Sequence, residues 1–262
     1  MARRRVMYPR IVFMDLEGTV FLKDYRLDNG KVAPSAWTLL ADRISPDCLA
    51  EEEDTKDRWN RGQYPGYVEW MRDTIRIHDK HGLTQHVFDE VVNSVRFTPF
   101  IQEAVAEFRQ NAAITAIISG GFKALADRAQ RELKVDHALS ACEYFFDGNT
   151  GRIHHFNLLP SDEEGKVGFM KLIAKEHGID LEDCVFVGDG KNDVGPACAV
   201  GFSIAFNAQQ ELKRFASKVI DQPEGEENFS AVAKAIRECF PDRRRKIFRR
   251  MRVLARKVIG PK

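Results

Sequence analysis

Three short apolar runs in this 262-residue chain each end abruptly on small or charged residues. Ile11-Val12-Phe13-Met14 runs into Asp15, Ile114-Thr115-Ala116-Ile117-Ile118 into Ser119, and Cys184-Val185-Phe186-Val187 into Gly188-Asp189. In a protein that alternates strands with helices, such a boundary marks the carboxyl end of a strand. Ligands of open α/β sheets bind in the crevice at those ends, so three polar tips together point to one site.

The remaining pattern supports that architecture. A helix with apolar positions Ile101, Val105 and Phe108 precedes the strand at 114, another helix follows Phe122, and residues 145–151 read as a hairpin. A helix carrying Lys166 comes next, then short strands at 201–206 and 218–220 separated by a helix at 209–215. The expected fold is α/β, a doubly wound, Rossmann-like parallel sheet. Residues 35–40, 51–61, 67–81 and 86–95 have helical rather than strand character, so a small helical cap is expected after the first strand, where a lid can exclude water from the site. The expected division is a core of residues 1–21 and 98–240, a cap of residues 22–97, and a basic tail of residues 241–262. With 44% apolar residues the chain can bury such a core.

Four separated segments carry the chemistry: Asp15-Leu16-Glu17, Ser119-Gly120-Gly121, Lys166, and Gly188-Asp189-Gly190-Lys191-Asn192-Asp193. Singly, each has an ordinary reading as a turn, a helix cap or a surface lysine. Their order and combination describe a phosphate-and-metal site. On these residues, over nearly its whole length, the chain resembles the haloacid dehalogenase superfamily, most closely its phosphoserine phosphatase-like branch.

A carboxylate nucleophile divides phosphomonoester hydrolysis into phosphorylation of the enzyme and hydrolysis of an acyl phosphate, and Asp15 is the candidate. Glu17, two residues on, can protonate the leaving alkoxide and later deprotonate water. Asp15 and Asp189, with a backbone carbonyl at Glu17, would supply hard oxygens to Mg²⁺, with Asp193 supporting them from behind. Ser119 and the Gly120 N–H can bind phosphate oxygens, Lys166 adds a positive charge, and Asn192 orients either substrate or Lys166. The expected activity is that of an Mg²⁺-dependent phosphatase acting on a small phosphorylated metabolite through a phosphoaspartate. Transfer of the phosphoryl group to an acceptor hydroxyl, such as that of homoserine, is the alternative, and a non-catalytic membrane- or nucleic-acid-associated module is the alternative of another class.

The resemblance also implies how phosphoserine would be recognised: by an acidic residue shortly after the first motif and an arginine on the cap. Asp24 takes the acidic place. The arginine place falls on Thr74, with Arg72 and Arg76 two residues to either side and so on the opposite face of a helix. Most family members have Asp where this chain has Glu17. The cap aromatics Trp37, Trp59, Tyr64, Tyr67 and Trp70 read as core rather than as ligand contacts, and the histidines, including His78 and His81, as surface residues.

From Pro241 onward there are ten Lys or Arg and one acidic residue, which leaves the tail at +9 and the rest of the chain at −8 out of a net +1. Ile247, Met251, Leu254 and Val258 give that tail a basic amphipathic pattern, which suits weak contact with an anionic membrane surface better than specific nucleic-acid binding. A docked terminal helix is the plain alternative, and the oligomeric state is open. Five cysteines without metal-ligand spacing, with burial expected for Cys184 and Cys198, suit a reducing, cytoplasmic setting. The basic start at Arg3-Arg4-Arg5 leads into only four apolar residues, too few for an export signal.

Overall fold

The computed structural model describes residues 8–240; the tail proposed above lies outside them. Strand β1 (Ile11–Met14) is followed by helices α1 (Ala36–Ile44), α2 (Pro46–Asn60), α3 (Tyr67–Lys80), α4 (Gln85–Ser94) and α5 (Ile101–Gln110) before the chain returns to the sheet at β2 (Ile114–Phe122). Then come α6 (Lys123–Leu133), β3 (His137–Phe146), β4 (Ile153–Leu158), α7 (Glu164–Glu176), β5 (Cys184–Gly188), α8 (Val194–Ala199), β6 (Phe202–Phe206), α9 (Gln210–Lys213), β7 (Lys218–Ile220) and α10 (Ser230–Cys239).

The seven strands lie in the order β4-β3-β2-β1-β5-β6-β7. All neighbours are parallel except β3 and β4, the hairpin, where the Asp147 carboxylate accepts the N–H groups of Asn149 and Thr150 and closes the turn. The sheet is therefore mostly parallel, with one antiparallel edge strand. Strand β1 sits between β2 and β5, with Met14 level with both Ile117 and Val187. The three polar tips consequently belong to adjacent strands and emerge side by side at the point where the strand order reverses, the usual ligand crevice of such sheets.

Alternate residues of β1 face opposite layers. Ile11 and Phe13 pack with Met170 and Ile173 of α7, whereas Val12 and Met14 join the core that includes α5, α6 and the inserted helices. Short polar residues punctuate the insertion. Ser35 caps α1, Ser45 accepts the Cys48 N–H at the start of α2 with Pro46 in its first turn, and Thr84 caps α4. The insertion is joined to the sheet by an aromatic seam. Phe122, fully buried at the end of β2, packs 4.3 Å from Trp37 of α1 and 5.2 Å from Phe88 of α4, with Tyr144 of β3 beside it.

Two expectations are corrected. His78 is wholly buried, because α3 packs against α2 and β4 and the imidazole meets Glu52 Oε2 at 3.3 Å and the Tyr144 hydroxyl at 2.9 Å. Cys198 is exposed while Cys184 is buried: α8 covers the sheet with Pro196 and Ala197 and leaves Cys198 on its outer side. Among the described residues, no helix is long and apolar enough to cross a membrane.

Because Phe122 joins the insertion to the sheet, Phe122→Ala should lower stability by about 3–5 kcal/mol. Urea denaturation measures this, and a loss under about 1 kcal/mol would show that the seam collapses around the missing ring.

Candidate active site

Asp15 is the first residue beyond β1, and its N–H donates to the Val187 carbonyl at 2.9 Å, which fixes the β1 tip against β5. Its carboxylate meets Lys166, which rises from the first turn of α7. The Lys166 ammonium, with no solvent exposure, lies 2.5 Å from Asp15 Oδ1 and 2.6 Å from Asp193 Oδ1. The other oxygen of Asp193 accepts the N–H groups of Asp189 and Gly190, each at 3.0 Å. Asp193 thus holds the turn after β5 from behind and ties that turn to Lys166.

Asp189 projects from the same turn toward the loop after β1. That loop approaches so closely that a Cβ on Gly18 would stand 2.4 Å from Asp189 Oδ2, and Gly18 also has φ +82°, so only glycine suits the position. Lys23, farther along the loop, places its ammonium 2.7 Å from the same oxygen. Oxygens of Asp15, Asp189 and Asp193 all lie within 4.8 Å of one another. Three buried carboxyl groups crowded around two ammonium groups offer hard oxygen donors, and this donor set suits a hard divalent cation.

Burial dominates the ionisation of the cluster. It pushes the Asp15 carboxyl up to about 8 against the opposing pull of Lys166, and it raises Asp189 against the pull of Lys23. Burial by itself would lower Lys166, but the carboxylates of Asp15, Asp193 and Asp162 carry it well above its ordinary value. Glu17 is also raised by burial; its carboxylate accepts the Ala36 N–H at 2.6 Å, at the start of α1. Its carboxylate therefore reaches the start of the inserted helices while it stays within electrostatic reach of Asp189 and Lys23.

Ser119 is 3% exposed. Its Oγ accepts the Gly121 N–H at 3.0 Å, which leaves the hydroxyl proton to point toward a ligand. The Gly120 carbonyl accepts hydrogen bonds from Trp37 Nε1 at 3.4 Å and from the Tyr67 hydroxyl, so two residues of the inserted helices hold the loop that carries Ser119. Asn192 donates to Asp162 Oδ1 at 2.6 Å, and Asp162 lies 3.6 Å from Lys166. Asn192 thus reaches Lys166 through Asp162 and also lines the cavity at the strand tips, so both of its sequence readings keep a physical route.

These groups surround a cavity of about 160 Å³. Asp15, Glu17, Ser119, Gly120, Asp189 and Asn192 line its sheet side, and Trp37, Tyr67, Trp70, Thr74, Glu52 and Lys56 its far side. Three of the aromatics read as core are therefore walls of the cavity. Glu52, 1% exposed, accepts Thr38 Oγ1 at 3.1 Å and Lys56 Nζ at 2.8 Å. Burial opposes its ionisation, but hydrogen bonds from His78 and Lys56 hold it below the ordinary carboxylate range. Asp24 is not brought to the cavity: it pairs with Arg96 on the outside of the loop, and neighbouring Lys23 points inward instead. Lys23, Asp162, Glu52 and Lys56 were missed in the sequence. The i,i+4 spacings Glu52/Lys56 and Asp162/Lys166 were the available signal for three of them.

A model of haloacid dehalogenase-like hydrolases matches residues 12–197. The phosphoserine phosphatase of Archaeoglobus fulgidus is 28% identical over 201 residues, which are 76% of this chain and 56% of that protein. Phosphoserine phosphatase SerB2 of Mycobacterium tuberculosis is 30% identical over 149 residues, 56% of this chain and 36% of that one. The chain thus spans about half or less of the length of these curated relatives. A solved structure of a phosphoserine phosphatase with a phospho-aspartyl intermediate analogue superposes with a TM-score of 0.68 at 21% identity, covering 87% of this chain and 98% of the other. A substrate-bound phosphoserine phosphatase superposes equally well at 20% identity, covering 86% and 97%. At these identities the superpositions show a shared fold.

Lys166→Met would strand two buried carboxylates. It should lower stability by about 3–5 kcal/mol in urea denaturation without divalent ions, and an unchanged midpoint would mean that the two ion pairs contribute nothing net.

Proposed function

Since the chain belongs to the haloacid dehalogenase-like hydrolases, we propose that it is a phosphatase that cleaves a small phosphomonoester through a phosphorylated Asp15. The observation that carries this reading is that Asp15, paired with Lys166, and Ser119 both line one cavity at the strand tips. Asp15 attacks phosphorus, and Lys166, already 2.5 Å from the attacking carboxylate, offsets the charge that gathers on the phosphoryl oxygens. The Ser119 hydroxyl and the backbone of Gly120 bind those oxygens. Burial raises the Glu17 carboxyl, which suits it to hold a proton for the departing alkoxide; it takes a proton from water when the acyl phosphate is hydrolysed.

Asp15 and Asp189, with Glu17 contributing its backbone carbonyl, are the residues that would hold Mg²⁺, and Asp193, whose oxygens already serve Lys166 and the N–H groups of Asp189 and Gly190, would support them from behind. When bound, Mg²⁺ supplies Lewis acidity and charge neutralisation toward phosphate. The volume of about 160 Å³ favours a small metabolite as substrate. The two groups that the resemblance assigns to phosphoserine do not face this cavity as a pair: Asp24 is turned to Arg96, and Thr74 stands at the arginine place. The reading therefore favours a small phosphomonoester other than phosphoserine. A cytoplasmic setting belongs to the same reading and is supported by the free thiols of Cys48 and Cys142.

Phosphate release across a panel of metabolite phosphomonoesters tests the proposal. Asp15→Asn should abolish turnover of whichever ester is hydrolysed, and Glu17→Gln should lower kcat by about 10²–10⁴-fold. Turnover that persists in Asp15→Asn would reject the phosphoaspartate.

A further inference from the structure

The pairing of Lys23 with Asp189 is not explained by the roles assigned so far. Lys166 serves Asp15 and Asp193, whereas among the described residues Lys23 is the only ion-pair partner of Asp189. The approach is specific: the ammonium lies 2.7 Å from Asp189 Oδ2, the oxygen already crowded on another side by the Gly18 backbone. A divalent cation that takes this carboxylate must compete with the ammonium for it, and like charges cannot share one oxygen cheaply in a buried site.

Lys23 has somewhere to go. Its side chain is 30% exposed and lines the same cavity as Asp15, Ser119 and Gly120, on a flexible four-carbon stem. An ammonium displaced from Asp189 remains beside the place where a phosphate would sit.

We propose that Lys23 is an exchangeable counter-ion, which neutralises Asp189 until a divalent cation binds there and then turns to the phosphoryl oxygens of the substrate. The second half rests on the phosphatase reading; the first half does not. Metal and substrate are coupled as a result. A phosphate that engages the released ammonium makes its return to Asp189 less favourable and so tightens the hold on the cation, and linkage requires the reverse effect to be equal. Lys23 is thus a positioning residue of the metal site and a phosphate contact in turn.

Calorimetric titration of Mg²⁺ into the full chain, without substrate, tests the exchange. Lys23→Met should bind Mg²⁺ about 5- to 10-fold more tightly than the unaltered chain, in the range of ordinary coupling energies, while Lys23→Arg should stay close to the unaltered affinity. In EDTA, Lys23→Met should melt below the unaltered chain because Asp189 loses its partner, and the gap should close at saturating Mg²⁺. Should Lys23→Met not fold in EDTA, Lys23→Gln takes its place in both measurements. A merely structural lysine would lower the melting temperature by the same amount with and without Mg²⁺ and would leave Mg²⁺ affinity unmoved. Either result, or Mg²⁺ affinity weakened by Lys23→Met, overturns the exchange. With substrate, Lys23→Met should raise KM for the hydrolysed ester; an unchanged KM overturns the phosphate contact. Failure of the phosphatase reading is distinguishable, since it appears as no phosphate release from any ester by the unaltered chain, and it removes the phosphate contact while the Mg²⁺ titrations still decide the exchange.

Discussion

A lysine ammonium removed from water is tolerated only where carboxylates replace its hydration, and Lys166 shows what that requirement organises. Its two short contacts, at 2.5 and 2.6 Å, reach the tip of β1 and the turn after β5, and its own backbone belongs to α7. One charge therefore locks three elements that are distant in the chain. Asp193 extends the lock by accepting two N–H groups of the turn that presents Asp189. Such a cluster is a poor source of net stability, because the cost of desolvating its charges consumes most of the attraction. What it provides is position: Asp15 and Asp189 are held as neighbours before any ligand arrives.

The inserted helices contribute a second buried charge, arranged on the same principle. Glu52 is surrounded by Thr38, Lys56 and His78, and the Tyr144 hydroxyl carries the network from α3 to β3. The polar network and the aromatic seam around Phe122 both cross from insertion to sheet. One gives the contact its area and the other its register, since a hydrogen-bonded buried carboxylate accepts few alternative arrangements.

The strand tips were legible because a buried parallel strand is an uninterrupted apolar run and its end is conspicuous. The positions of Asp15, Ser119 and Asp189 at strand ends needed no more than that, whereas Lys166 and Asp193 were singled out by their match to the motifs of the haloacid dehalogenase superfamily. The direction of the loop after β1 was not legible in the same way. Lys23 and Asp24 are adjacent, and which of them faces inward depends on the φ of Gly18 and on Arg96, which lies 72 residues beyond Asp24 and draws it outward. His78 failed for a related reason. Its burial depends on a carboxylate from α2 and a hydroxyl from β3, neither visible in the periodicity of its own helix. The hairpin was legible from its turn residues, and with it the one antiparallel pair of the sheet; that this pair forms the sheet edge was not.

The Gly120 carbonyl, which accepts from both Trp37 and Tyr67, removes a clean division of labour between the two parts of the molecule. If the insertion selected substrates and the sheet performed chemistry independently, the walls of the cavity could change while the reaction stayed intact. Here two of those walls are also struts of the loop that presents Ser119. A lineage altering Trp37 or Tyr67 to reshape the cavity would also loosen the loop that presents Ser119. New specificity is therefore more accessible through Met71, Thr74 or Lys56, which line the same space without reaching Gly120.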